Sequence, residues 1–458
     1  MTQRVVRLAG GQGFWGDDLE APARLVRGGP LDYLMLDYLA EVTMSILRKL
    51  RDRDPAAGYA RDFVTLMESI WPECAERGVK VVANAGGVNP SGCADALVAA
   101  GRRAGVAGKA RVGLVRGDDL MDRLDALLAD GHVLSNLDTG APLSDIRDRV
   151  RSANAYIGAR PVVDALAKGA DVVVTGRVAD PSLAAAALIH AFGWPMDDVH
   201  RMAAAVLAGH VVECGAQSTG GNCMAEWWTI PELDTVGFPV LEVEESGAFT
   251  VTKHPGTGGR VDRRSVTEQI VYEIGDPRRV LTPDVVADFT TIALTDEGGD
   301  RVRLEGIQGA PATDSYKVSI SYSAGWMAAG TLLYTWPDAV EKAQAADAML
   351  RSRFQRLGYQ LDDVHTEMVG WNAGHGPLSG PPPADASEVQ LRVAVRSTDK
   401  ASVERFSRDM PPLVLNGPPS VTGYAAARAR VQEVVAYWPA LIDKTVVDPH
   451  VATEVRDV

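Results

Sequence analysis

The sequence is poor in cysteine, in aromatic residues and in long apolar runs. Its four cysteines, Cys74, Cys93, Cys214 and Cys223, form no C-x-x-C pair and share no zinc-type spacing with histidine. A disulfide framework and a structural zinc site are therefore not expected, and free thiols in a reducing cytoplasm fit best. No stretch approaches the ~20 apolar residues that span a bilayer; the most apolar one, 183–194, is short and carries His190. The first eight residues are polar and basic without an apolar core, so no secretory leader is expected. Dense basic runs are missing too. The 46 Lys and Arg against 60 Asp and Glu give a net charge of −14, which argues against a nucleic-acid or membrane-surface partner. A P-loop lysine, a G-x-S-x-G elbow and an H-E-x-x-H helix are all absent, so nucleotide-hydrolase, serine-hydrolase and zincin chemistries find no support. Neither a redox cofactor nor a resident metal is expected.

Glycine is plentiful, with 45 residues against 8 Phe and 11 Tyr. Short, nearly all-apolar runs predict strands over 5–9, 33–37, 79–83, 111–115, 133–136, 171–175 and 210–214. Such runs belong to strands covered on both faces. Helical patterns alternate with them over 39–51, 59–77, 92–105, 120–128, 144–168, 181–192 and 196–208. The alternation predicts an α/β domain over 1–225, with a mostly parallel sheet and helices on both faces. Residues 226–307 are rich in turn signals and predict an irregular covering segment with short strands. From 308 to 458 the pattern becomes α+β, with strands near 316–323, 327–334, 365–369 and 389–395. Helices there are expected over 337–357 and 401–408.

In open parallel sheets, ligands bind outside the carboxyl ends of the strands. The first predicted strand runs into a loop containing Gly11, Gln12, Gly13 and Asp17, whose glycines can turn backbone N–H groups toward a ligand. It departs from the dinucleotide-binding G-x-G-x-x-G pattern, which favours a polar small-molecule pocket over a nucleotide site. The third strand ends in a loop holding Asn84, Gly86, Gly87 and Asn89. Asn89 is also a good helix N-cap. Later strand ends supply Asp118, Asp138, Arg177 with Asp180, and Glu213. Gln217, Gly220 and Gly221 follow Glu213. All the predicted strands but the second carry this combination of glycine and polar residue at one end, which points to one shared site.

Asp118, Asp138 and Glu213 are candidate acids and bases, since clustered carboxyl groups push their pKa values apart. The same cluster could instead hold Mg2+. Arg177 follows Gly176 at a strand end and is expected at a cleft mouth, where it could clamp an anion bidentately. The alternative is a structural ion pair with Asp180. Cys214 reads as a structural thiol more readily than as a nucleophile. The segment 253–260, with Lys253, His254 and Arg260 around three glycines and a threonine, could be a lid or an exposed hairpin.

Taken together, several of these segments resemble the acyclic terpene utilisation protein A (AtuA) family. They are the opening glycine loop with Asp17-Asp18, Asp32-Tyr33-Leu34 with Tyr38-Leu39-Ala40-Glu41, and Asn84-Ala85-Gly86-Gly87-Val88-Asn89-Pro90. Gly117-Asp118-Asp119, Thr175-Gly176-Arg177-Val178-Ala179-Asp180 and the 215–221 stretch complete the set. The resemblance covers roughly residues 4–450. It implies a bacterial cytoplasmic protein encoded beside acyl-CoA-metabolising enzymes, in acyclic terpene catabolism or a natural-product acyl pathway. The resemblance also implies an additional C-terminal ferredoxin-like domain in many relatives, which is not expected in this sequence. Two functions are compatible with these observations. One is a lyase of hydratase or dehydratase type, working by proton transfer beside a carbonyl on a small acyl substrate, with a CoA thioester as one candidate. The other is a non-catalytic binding or scaffold protein for a CoA-dependent enzyme. Homo-oligomerisation is compatible with either.

Overall fold

The computed structural model describes residues 4–422 and 429–458. The chain forms two compact units. One runs to Ser321 and resumes over Tyr437–Val458; the other is Tyr322–Ala436. The boundaries expected at 225 and 307 therefore fall inside the first unit. The physical reason is that residues 240–305 add strands to its main sheet instead of standing apart.

The strands up to residue 175 are β1 (Val5–Gln12), β2 (Tyr33–Leu36), β3 (Lys80–Ala83), β4 (Arg111–Arg116), β5 (Val150–Ala155) and β6 (Val172–Thr175). Interleaved with them and after them come α1 (Ala21–Gly28), α2 (Glu41–Arg53), α3 (Arg61–Arg77), α4 (Pro90–Arg103), α5 (Leu124–Ala129), α6 (Arg160–Ala167), α7 (Asp180–Phe192) and α8 (Val199–Val212). The main sheet has ten strands. Its centre is parallel, in the order β1-β2-β3-β6-β4. Both flanks are antiparallel. Val240–Glu244 pairs with β1, followed outward by Phe249–Thr252, Val302–Glu305 and Ala293–Asp296, while Ala452–Asp457 closes the other edge on β4.

The sheet is thus mixed and not mostly parallel. Val240–Glu244 and Phe249–Thr252 are joined by a short turn, which only an antiparallel pair permits. These flanking strands alternate in polarity, and their outward carboxylates pair across the sheet: Glu242 with Arg7 and Arg301, Glu244 with Arg303.

Burial explains the parallel centre. Every residue of β2 and β6 is buried. On one face, Leu34, Val81, Val172 and Val174 share a core with Phe63, Met67, Ile70 and Trp71 of α3 and Leu97 of α4. Each such side chain contributes about 1.5–3 kcal/mol. α7 and α8 pack against each other and are buried around most of their circumference. That all-round apolar character hides the helical period. It is why residues 210–214, expected as a strand, form the end of α8 and the turn that follows it.

Two further expectations fail locally. Residues 133–136 are irregular backbone followed by a turn. The expected helix 144–168 is a 3-10 segment (Leu143–Arg149), then β5, then α6; β5 pairs with the strand Ser315–Thr335.

The second unit holds an antiparallel sheet made of Asp363–Val369, Glu388–Ser397, the later part of Ser315–Thr335, and Val421–Thr422. The helices Ala339–Leu357 and Lys400–Phe406 cover it, burying Leu350, Phe354, Val403 and Phe406 against Leu332, Leu391 and Val393. The expected pair of strands at 316–323 and 327–334 is one continuous strand, because Gly325 is taken up at φ +95° without a turn. No helix among the described residues is long and apolar enough to cross a membrane.

Candidate active site

A cleft of about 830 Å³ opens in the first unit, lined by residues that follow the carboxyl ends of β1, β2 and β6. β1 delivers Gly13 and Asp17, β2 delivers Asp37, and β6 delivers Arg177 and Asp180. The end of α8 adds Glu213 and Cys214, and Glu41, Tyr156 and Lys317 come from α2 and two more distant segments. Gly13 allows the β1 loop to meet the chain after α8. A Cβ there would lie 2.6 Å from the Gly215 nitrogen.

Arg177 is the centre of one half of the cleft. Its side chain is 1% exposed. Nη1 donates to Asp180 Oδ1 and to the Leu39 carbonyl, both at 2.6 Å, and Nη2 donates to Asp180 Oδ2 at 3.3 Å. The guanidinium lies over the Tyr156 ring at 4.2 Å. Nε has no partner. The Tyr156 hydroxyl donates to Glu41 Oε1 at 2.5 Å, and Lys317 Nζ stands 3.4 Å from the same oxygen. Burial opposes ionisation of Glu41, but the Tyr156 hydroxyl and the Arg177 and Lys317 charges outweigh it and hold its pKa at about 2. Arg177 is thus a locked, buried ion pair and not a free clamp at a cleft mouth.

The other half holds two carboxyl groups, each with an oxygen to which no described residue donates. Asp37 directly follows β2 and is buried. Its Oδ1 accepts from Asn84 Nδ2 at 2.6 Å and from the Leu39 N–H at 3.1 Å, and no described residue donates to Oδ2. Burial first, then the Asp180 charge, hold its pKa well above the usual carboxylate range. Glu213 Oε1 lies 2.7 Å from His210 Nδ1, and Glu213 Oε2 is buried without a partner. His210 Nε2 lies 3.2 Å from the Ile270 carbonyl, an obligate acceptor, so Nε2 carries a proton. The His210–Glu213 contact then shares one further proton. Burial raises Glu213 against the pull of His210. Burial works against a charged His210, but Glu213 reverses it and His210 sits above its ordinary value.

Of the residues singled out in the sequence, Gly13, Asp17, Arg177, Asp180, Glu213, Gln217 and Gly221 line this cleft. Others stand behind it. Asp118 is buried, and its Oδ2 accepts from the Arg177 N–H at 2.8 Å and from Asn154 at 2.9 Å. A Cβ on Gly176 would lie 2.3 Å from Asp118 Oδ1, so the glycine makes room for this contact. Asn84 orients Asp37 and accepts from the Tyr38 N–H. Gln12 donates to the Asp18 carbonyl, and Gly11 packs against Leu34 and Leu36.

The remainder serve the fold elsewhere. Asp138 is exposed on the turn after 133–136 and takes no part in the site. Asn89 caps α4, with Gly86 and Gly87 in the tight turn before it. Gly220, at φ +103°, ends the 3-10 turn after Cys214. His254 is buried against α1, with Nε2 3.0 Å from the Leu25 carbonyl. The 253–260 segment is no free lid: Lys253 is buried and pairs with Asp300 at 3.1 Å. Cys214 lines the cleft, but burial and Glu213 push its thiol up to about 12, which fits the structural reading.

Asp37, Glu41, Tyr156, His210 and Lys317 were not among the expected site residues. A signal for Asp37 existed, in an acid directly after the all-apolar run Tyr33-Leu34-Met35-Leu36. For His210 the signal was its i,i+3 spacing to Glu213, legible only once the segment is helical. Among the described residues, no group of three or more His, Cys, Asp or Glu is placed to hold a metal ion.

No curated protein and no solved structure matches the chain. A family model does match, over residues 6–453. It is described as acyclic terpene utilisation family protein AtuA, and the chain belongs to that family.

Proposed function

We propose that this protein is an enzyme of acyclic terpene utilisation or a related acyl pathway, a lyase of hydratase or dehydratase type acting beside a carbonyl. The observation that carries the reading is that Asp37, buried, and Glu213, its side chain 14% exposed, line one cleft, each with an oxygen to which no described residue donates. Buried carboxyl groups of this kind can hold a proton at neutral pH and release it during reaction.

In the dehydration direction Glu213, with the shared proton on His210, takes the hydrogen from the carbon next to the carbonyl. The C–H electron pair becomes the double bond as the β-hydroxyl departs. Asp37 supplies its proton to that hydroxyl, which leaves as water. Hydration is the reverse. The orphaned Arg177 Nε is the donor available for charge developing on the carbonyl oxygen. A CoA thioester fits as the substrate class, and the step uses no redox cofactor.

A second reading draws on a different observation. Met224, Trp227 and Trp228 are exposed on one short segment, and exposed apolar patches mark protein contacts. On that reading the chain is a binding or scaffold partner of a CoA-dependent enzyme. Hydrogen–deuterium exchange separates the two. The N-acetylcysteamine thioester of 3-methylbutanoic acid, incubated in D2O with the protein, is expected to gain deuterium beside the carbonyl. Glu213→Gln is expected to lose that exchange. Exchange no faster than in buffer favours the scaffold.

A further inference from the structure

The charge arrangement of the cleft restricts what can enter it. Eight carboxyl groups line it, against two cations, Arg177 and Lys317. Both cations are matched within the cleft. Asp180 takes both terminal nitrogens of Arg177, the Leu39 carbonyl takes a second bond from Nη1, and Tyr156 covers one guanidinium face. Lys317 stands beside Glu41 at 3.4 Å and over the Tyr156 ring at 4.8 Å. His210, behind the wall, is matched by Glu213. Among the described residues, a carboxylate or phosphate entering the cleft would find no lining cation without its own counter-ion, and it would lose its water beside Asp37 and Glu213. What the inner cleft does offer is hydrogen bonding. The Arg177 Nε–H is an unused donor in a side chain 1% exposed, and Asp37 has a free oxygen.

We infer that the end of the ligand that enters this cleft is not an anion: it is a neutral carbonyl such as a thioester, ester, amide or ketone, and not a free carboxylate or a phosphate. The inference rests on the acid/base reading and narrows its substrate class. The locked cations polarise and position. They do not capture an anion.

Three probes of one shape test this: 3-methylbutanamide, 3-methylbutanoate and 3-methylbutylamine, titrated into the full chain at neutral pH with saturation-transfer NMR. The amide is expected to bind at least about tenfold more tightly than the carboxylate, with the amine as the control for a cationic ligand. Asp180→Asn leaves the Arg177 charge without its partner, and Glu41→Gln does the same for Lys317. At least one of these variants is expected to gain about tenfold for the carboxylate while the amide changes by less than about threefold. Circular dichroism selects the variant that keeps its fold. Carboxylate or amine binding as tightly as the amide to the native protein overturns the inference and leaves the exchange chemistry standing. Failure of all three to bind at about 50 mM overturns both.

Discussion

His210 Nδ1 and Glu213 Oε1 stand 2.7 Å apart at the end of α8, while the other imidazole nitrogen is fixed on the Ile270 carbonyl at 3.2 Å. The pair therefore shares one proton across the wall of the cleft. Glu213→Gln keeps the shape and cannot take a proton, so α-carbon exchange on a thioester probe should fall by about 10²-fold or more with the melting temperature little changed. His210→Gln should lower the rate less and alter its pH profile. An unchanged pH profile in His210→Gln would show that the imidazole only packs against Phe289.

Asp118 sets a pH dependence of stability that can be isolated. Burial raises its pKa to about 7, above the ordinary value of ~3.9 that it has in the unfolded chain. Below pH ~4 both states carry the proton. Between ~4 and about 7 only the folded state does, so stability falls as pH rises through this window and levels off above it. Asp118→Asn removes the titration while its amide oxygen can accept from the Arg177 N–H and Asn154, the two bonds Oδ2 now receives. In urea unfolding, the wild type is expected to lose a few kcal/mol relative to this variant between pH 4 and 8, at about 1.36 kcal/mol per unit. Parallel pH curves would contradict the burial argument.

The parallel centre of the fold was legible because its strands are short all-apolar runs, as at Val81-Val82-Ala83 and Val172-Val173-Val174. Much of the site was not. The one strand set aside for lacking a glycine-rich end, β2, supplies Asp37, and Glu41 opens the helix that follows. Glycine marks where a backbone must bend, whereas Asp37 needs only to follow a buried strand. Asp138 looked equivalent to Asp118 because both follow apolar runs, but residues 133–136 never enter the sheet. Lys317 and Tyr156 reach the cleft from segments whose pairing depends on long-range contacts that periodicity does not encode. The antiparallel flanks escaped for the same reason.

Arg177 is expected to be structural as well as functional. Removing it leaves Asp180 without a counter-charge and uncovers the Tyr156 face. Arg177 is buried but the Asp180 side chain is 31% exposed, so losing these charged hydrogen bonds costs about 1.5–3 kcal/mol, and Arg177→Ala should unfold at lower urea. Adding Asp180→Asn should recover part of that loss by removing the stranded charge. Additive losses in the double variant would mean the pair is not energetically coupled.

Cys214 lines the cleft with a thiol pushed to about 12, so it is almost wholly un-ionised at neutral pH and a poor nucleophile. Cys214→Ser should keep exchange within about threefold of wild type, a small effect on a barrier where tenfold is ~1.36 kcal/mol. Brief treatment with iodoacetamide at pH 7 should leave the rate unchanged. A complete loss in the serine variant would assign the chemistry to sulfur.

Burial and the Asp180 charge raise Asp37 well above the usual carboxylate range, and the proposed dehydration needs a proton on this carboxyl group beside the Glu213–His210 pair. Infrared difference spectroscopy of wild type against Asp37→Asn at pH 7 reads this directly, because a protonated carboxyl and a carboxylate absorb in separate regions. The substitution is expected to remove a protonated-carboxyl C=O band that shifts in D2O and to leave the carboxylate bands unaltered. Loss of a carboxylate band instead, with the protonated-carboxyl region unchanged, would contradict it.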